Sequence, residues 1–101
     1  MATVTSLWAE KNGNSIDSTS ENTAFDLIAD VRGENDTIVF FIESDNSFTF
    51  NDGTKRIEKS YDGNDGEVQT STKIMGKGDL DVKAYAKKSN TTIKNTRLSI
   101  T

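Results

Sequence analysis

The densest group of oxygen-bearing side chains lies in the glycine-containing segment 62–67. Its candidate calcium ligands are Asp62, Asn64, Asp65 and Glu67. Calcium takes six to eight oxygen ligands, so a carboxylate-rich turn suits it chemically. The spacing departs from the known calcium loop, because Gly66 stands where the third ligand counted from Asp62 belongs. We therefore expect weak calcium binding at most, with a solvated turn as the alternative, and we predict no other metal, cofactor or catalytic site.

Two other features suggest contact with a partner. Lys77-Gly78-Asp79 matches a tripeptide that some integrin ligands use, and it lies on a predicted hairpin tip, where binding loops are common. The alternative is a chance match around a glycine that the turn needs. Tyr85 is predicted to point outward between the inward Ala84 and Ala86, and tyrosine is enriched in binding hot spots. The alternative is an aromatic residue on the sheet surface, or one covered by a neighbouring domain.

The composition excludes several classes of function. The 101 residues contain no histidine and no cysteine, which removes the usual general base, thiolate zinc sites and disulfides. We therefore expect no enzymatic activity. A net charge of −4 argues against binding to nucleic acid or to an anionic membrane. No apolar run approaches the roughly 20 residues of a membrane span, so we expect no insertion into a membrane.

The strands that would position these candidates are indicated by alternation of apolar and polar residues. Segments 25–32, 68–74 and 80–87 each alternate with a period of two, which is typical of a strand with one buried face. Segment 38–42 is apolar throughout and predicts a central strand. With further pieces at 4–9, 48–50 and 98–100, the pattern predicts about seven strands in an all-β sandwich or barrel.

The alternation also selects the core. We expect the core to contain Phe25, Leu27, Ala29, Val31, Phe40, Val68, Leu80, Val82 and Ala84, with Leu98 and Ile100 beside them. Trp8 and Phe50 are expected to add bulky core contacts. Turns are predicted between the strands, among them 45–47 and 89–90. The best helical candidate is the short segment 18–24.

Three stretches resemble a known family. Segment 62–73 is similar to the passage "turn, glycine, then V-x-T-x-T", and 78–86 to a G-x-x-x-V-x-A strand. Segment 25–33 resembles the second strand and turn of the same domains. Together they resemble, over residues 20–101, the bacterial immunoglobulin-like domains of invasin/intimin adhesins and of related phage surface proteins. The chain departs from that pattern in lacking the proline that often follows the second-strand turn, and in its apolar segment 38–42.

This resemblance implies an immunoglobulin-like β-sandwich of about seven strands in two sheets, formed by residues 1–101 and excised from a longer protein. It further implies a structural or adhesive module on a bacterial cell surface or phage particle, acting as a spacer or presenting a binding surface. The implied partners are adjacent domains of the same chain, a host protein or a glycan. The alternative is a free-standing β-sandwich domain that binds carbohydrate or protein through its loops. Chain ends at opposite poles, without an exposed aromatic cluster, favour a spacer. Aromatic and polar side chains grouped at one end or on one sheet face favour a binder.

Overall fold

The computed structural model describes residues 1–44, 46–89 and 92–101, and among these it contains strands and no helix. The predicted all-β class is therefore confirmed. The strands in chain order are β1 (Thr3–Lys11), β2 (Asn14–Ile16), β3 (Ser18–Thr19), β4 (Phe25–Arg32), β5 (Asp36–Ile42), β6 (Thr49–Phe50), β7 (Arg56–Tyr61), β8 (Gly66–Thr72), β9 (Ile74–Met75), β10 (Gly78–Ala86) and β11 (Lys94–Ile100). No described helix is long and apolar enough to cross a membrane.

The strands form two main sheets that are consistent with a sandwich. A four-stranded sheet has the order β2-β1-β4-β8, and a five-stranded sheet has the order β3-β11-β10-β5-β7. A two-stranded piece joins β6 to β9. The pairings are antiparallel except that β3 runs parallel to β11, with Ser18 opposite Ser99 and Thr19 opposite Ile100.

The two sheets bury one face of each main strand between them, as the alternation predicts. Every member of the predicted core is buried except Val68, which is partly buried against the same cluster. Leu98 and Ile100 lie inward beside β10, where Leu98 is opposite Leu80. Ile74 and Phe48 close the core near the two-stranded piece.

The prediction that Trp8 belongs to the core is wrong. The indole is half-exposed on the outer face of the four-stranded sheet, beside Ile28 of β4. A β-bulge between Val4 and Ser6 shifts the register, so that Val4 and Leu7 both face the core although they are three residues apart. The bulge therefore places Trp8 outside and Ala9 inside.

Two further expectations are corrected. The helical candidate at 18–24 does not form a helix, because 18–19 pair with β11 and the Glu21 amide then donates a hydrogen bond to the Thr101 carbonyl at 2.9 Å. Strand β7 was not anticipated, since its polar sequence shows little alternation. Of the predicted turns, Asp45 and Asn90 lie outside the described residues.

The loops divide between two poles of the sandwich. The N-terminal pole holds Met1 and the turns 33–35 and 62–65, because Thr3 is opposite Arg32 and Gly66 is opposite Val31. The C-terminal pole holds Thr101 and the turns 12–13 and 76–77, because Gly78 is opposite Ile100. The two ends of the described chain therefore leave from opposite poles.

Candidate functional site

The N-terminal pole is held together by a buried tyrosine. The Tyr61 hydroxyl lies 3.1 Å from the Gly33 carbonyl oxygen and 3.2 Å from the Asp65 carboxylate. Asp65 also accepts a hydrogen bond from the Gly33 amide at 2.9 Å, and this bond lowers the pKa of the Asp65 carboxyl. Burial raises the pKa of Tyr61. These contacts tie the turn 33–35 to the turn 62–65.

The calcium candidates are divided between this turn and β8. Asp62 accepts hydrogen bonds from the amide and the side chain of Asn64 at 3.0 and 3.2 Å, and the amide lowers the pKa of the Asp62 carboxyl. Glu67 is instead on the outer face of β8, opposite Asp30. Within the described ranges no three acidic side chains are grouped as a metal site would need. Weak calcium binding stays a prediction.

A groove opens below this pole between β7 and β8. It encloses about 580 Å³, and its walls include Lys59 and Ser60 of β7 and Glu67, Val68 and Gln69 of β8. β7 and β8 are the outermost strands of their respective sheets, so the groove runs along an open side of the sandwich. Both of its walls carry polar side chains and strand backbone.

The outer face of the five-stranded sheet carries an aromatic strip, which consists of Phe41, Tyr85 and Ile93. The rings of Phe41 and Tyr85 meet edge to face, with centroids 5.6 Å apart and planes at 81°. Tyr85 is directly opposite Val39, which is fully buried although it lies on the outer face. Ile93 is 53% exposed. A shallow cavity of about 440 Å³ lies against the strip.

Paired charges surround the aromatic strip. Lys83 reaches Glu43 at 2.7 Å, while Glu58 is shared between Arg56 at 2.8 Å and Lys87 at 3.2 Å. The hydrogen bond from Arg56 is the main cause that lowers the pKa of the Glu58 carboxyl. The strip is therefore an apolar surface within a rim of balanced charge.

The outer face of the four-stranded sheet is acidic. The outward positions of its main strands carry the carboxylates of Glu10, Asp26, Asp30 and Glu67. Glu10 is directly opposite Asp26, and Asp30 is directly opposite Glu67. Trp8 lies among them and donates a hydrogen bond to Glu10 at 2.6 Å.

The other predicted partner residues lie in separate places. Tyr85 points outward between the buried Ala84 and Ala86, so its predicted direction is confirmed. Lys77, Gly78 and Asp79 are exposed at the C-terminal pole, but the predicted hairpin tip is wrong, because Gly78 and Asp79 begin β10 and β9 pairs with β6 instead. Their role in binding stays a prediction. Sequence reasoning missed Phe41 and Ile93. The signal for Phe41 was present, because a continuously apolar strand must place some apolar side chains on its outer face.

No family model matches the chain, and neither a curated protein nor a solved structure matches it.

Proposed function

We propose that the chain is a non-catalytic immunoglobulin-like module of the invasin/intimin type, which acts as a spacer or presents a surface on a bacterial cell or phage particle. The observation that carries this proposal is the position of the chain ends. β1 begins at the N-terminal pole and β11 ends at the C-terminal pole, so neighbouring domains of the same chain would join end to end. The sandwich measures 37 Å along its longest axis.

The same geometry suits a domain that transmits tension. β1 and β11 both run from the N-terminal to the C-terminal pole, in different sheets. A pull on the two ends would drag these strands in opposite directions along their length. Their ladders would then be loaded in shear, and many backbone hydrogen bonds would have to break together.

Single-molecule pulling tests this proposal. The chain contains no cysteine, so handles attach at single introduced cysteines. We expect a pull between Met1 and Thr101 to need a higher force than a pull between Gly13 and Thr101, which both lie at the C-terminal pole. A pull between Gly13 and Thr101 would separate the strands from one end and break their backbone hydrogen bonds one at a time. An equal or lower unfolding force for the pull between Met1 and Thr101 would contradict the proposed spacer function.

A second function, binding of a glycan or protein, is favoured by the aromatic strip. Its aromatic and aliphatic side chains are grouped on one sheet face within a charged rim. Exposed apolar patches of this kind are typical of interaction sites. Phe41 and Tyr85 of this surface lie on strands and Ile93 lies in the loop before β11, whereas the sequence suggested a free-standing binder that acts through its loops.

Titration with cellohexaose and chitohexaose, followed by amide chemical shifts, tests this second function. Binding at the strip is expected to move signals of β5 and β10 and to disappear in Tyr85→Ala. The matched control is Lys77→Ala at the C-terminal pole, which is expected to bind as the parent chain does. Failure to bind either sugar would leave a protein surface as the remaining form of this function.

A further inference from the structure

In the described part of the chain the two main sheets have four outer strands, and these differ in how far they resist pairing with another chain. β2 has three residues and β3 has two, so each offers little backbone to a partner strand. Very short edge strands are one way in which natural sheets avoid edge-to-edge association. β7 and β8 are longer, with six and seven residues.

β7 is protected by charge. It carries Arg56, Glu58 and Lys59 within its six residues. Lys59 is opposite Ile38, whose side chain faces the core, so the lysine occupies a position on the core side of the strand. A charge on the inner side of an edge strand would be buried by an added strand, which opposes such pairing.

β8 has neither a short length nor a charge on its inner side. It pairs with β4 without a register shift from Gly66 to Thr72, so it contains no bulge. It has no proline and no lysine, and its one charged residue is Glu67. In an antiparallel pair, alternate residues point their N–H and C=O groups away from the partner strand. Among the described residues β4 is the only strand paired with β8, so the other edge of β8 faces the groove.

The charge beside this edge favours a basic occupant. A strand added to β8 would place its outward side chains next to Glu67, Gln69 and Ser71. Asp30 and Asp26 lie one strand further, directly opposite Glu67 and Ser71. The inward side chains would meet Val68 and Thr70 of β8, which are uncharged, with Lys59 across the groove. Lysine or arginine at alternate positions, with small apolar or hydroxyl residues between them, complements both sides.

A second copy of this chain fits less well. Pairing β8 with its own copy would join two acidic outer faces into one sheet. In each copy the outward positions of β1, β4 and β8 hold four carboxylates against one cation, Arg32. Like charge over one continuous face opposes that association.

We propose that the free edge of β8 is a strand-addition site for an extended segment of a partner protein that carries basic residues at alternate positions. The added strand would make main-chain hydrogen bonds to β8, and its basic side chains would lie on the acidic outer face. Main-chain pairing supplies affinity in this mode of recognition, and alternate side chains supply specificity.

The probe is a capped peptide, Thr-Lys-Val-Lys-Val-Lys-Thr, titrated into the full chain and followed by amide chemical shifts and hydrogen exchange. We expect saturable shifts in β8 and slower exchange of its amides, at peptide concentrations of about 1 mM or below. A peptide with proline in place of the central lysine is expected not to bind, because proline removes a ladder donor.

Two protein variants with equal charge change complete the design. Glu67→Lys, on β8, is expected to weaken binding about tenfold, which corresponds to about 1.4 kcal/mol. Glu58→Lys, on the outer face of β7, is expected to leave the affinity unchanged. Glu67→Gln provides a smaller change at the same position if the charge reversal perturbs the fold.

Each result decides the proposal. Shifts centred on β8 that weaken with Glu67→Lys and not with Glu58→Lys support it. Absence of binding overturns it, as do shifts centred on β7 or on the aromatic strip. Self-association of the chain through β8 without peptide would also overturn it, since the occupant would then be a second copy.

Discussion

The outer faces of the two sheets both carry an aliphatic side chain beside an aromatic ring, but the charges around the two rings are arranged differently. Each face contains one fully covered aliphatic side chain, Ile28 on the four-stranded sheet and Val39 on the five-stranded sheet. Each is directly opposite an aromatic residue, Trp8 and Tyr85 respectively. The surroundings differ. Around Trp8 carboxylates face each other and one of them, Asp30, contacts a cation, Arg32, at 3.4 Å, whereas the charges around Tyr85 are paired with opposite charges.

This difference in charge pairing has opposite consequences for the stability of the two faces. Directly opposite like charges destabilise a sheet, while opposite charges stabilise it by a fraction of a kcal/mol per pair. The five-stranded face is therefore arranged for stability around its aromatic strip. The four-stranded face keeps an electrostatic cost, and an added basic strand would relieve that cost.

The largest effect is expected from a charge placed under either aromatic residue. Ile28→Asp and Val39→Asp would each bury a carboxylate without a cation, and we expect a loss of more than about 3 kcal/mol of unfolding free energy. Urea denaturation measures the loss. Gln69→Asp, at an exposed position opposite Ile28, is the control and is expected to cost far less. A small loss at only one of the two sites would contradict the statement that both faces bury an aliphatic side chain in the same way.

Replacement of Trp8 or Tyr85 by alanine is expected to have an intermediate effect on the free energy of unfolding. Trp8→Ala should cost about 2–3 kcal/mol, below the range for a fully buried tryptophan because the indole is half-exposed. Tyr85→Ala should cost about 1–2 kcal/mol, since the ring is smaller and Phe41 remains beside it. Denaturant midpoints give both values. A larger loss for Tyr85→Ala than for Trp8→Ala would reverse the ranking.

Charge reversal should change stability in opposite directions on the two faces. Glu67→Lys replaces a like-charge pair with Asp30 by an attractive one and is expected to stabilise the fold by about 0.5 kcal/mol at low salt. Arg97→Glu breaks the two-bond contact with Asp81, at 3.0 and 3.2 Å, and is expected to destabilise by a similar amount. Thermal melts at low and high salt measure both changes. Effects of the same sign would contradict the contrast in charge pairing.

The smallest effect concerns acid. Hydrogen bonds from Arg97 lower the pKa of the Asp81 carboxyl in the folded state. A lowered folded pKa contributes stability at pH values above the unfolded pKa of about 3.9, and this contribution disappears as the pH falls through the folded value. Asp81→Asn is therefore expected to flatten the loss of stability below about pH 4.

Arg97→Gln tests the cause of that pH dependence. It should flatten part of the acid profile, because Asn95 still donates a hydrogen bond to Asp81 at 3.3 Å, and the double variant should match Asp81→Asn. The profiles are obtained from urea midpoints at a series of pH values. An unchanged profile in Arg97→Gln would assign the shift to another group.

The sequence predicted the parts of the fold in which each strand buries one regular face. β10 alternates without interruption and β4 does so except at Ile28, and the inward residues of both strands lie in the core as expected. β7 was not predicted as a strand, because the core side of the strand holds Lys59 between Ile57 and Tyr61. The residue type that protects this edge also removed the pattern that reveals a strand.

The outer faces were harder to predict, because they depend on which strands become neighbours. The bulge in β1 changed the direction of Trp8, and only the pairing with β4 brings it over Ile28. Asp62, Asn64 and Asp65 were recognisable as a turn. The contacts of Asp65 with Gly33 and Tyr61 were not, because they depend on β4 becoming the neighbour of β8 and on β7 of the other sheet ending beside them.

The parallel pairing of β3 with β11 has a consequence for biosynthesis. Ser18 and Thr19 emerge early from the ribosome, whereas their partners Ser99 and Ile100 belong to the last strand of the domain. The five-stranded sheet is therefore incomplete until nearly the whole domain has left the exit tunnel. Such distant pairing is slow to form, so we expect the nascent domain to wait unfolded and to fold after release of β11. The segments already synthesised, including β8, would be exposed to chaperones during that interval.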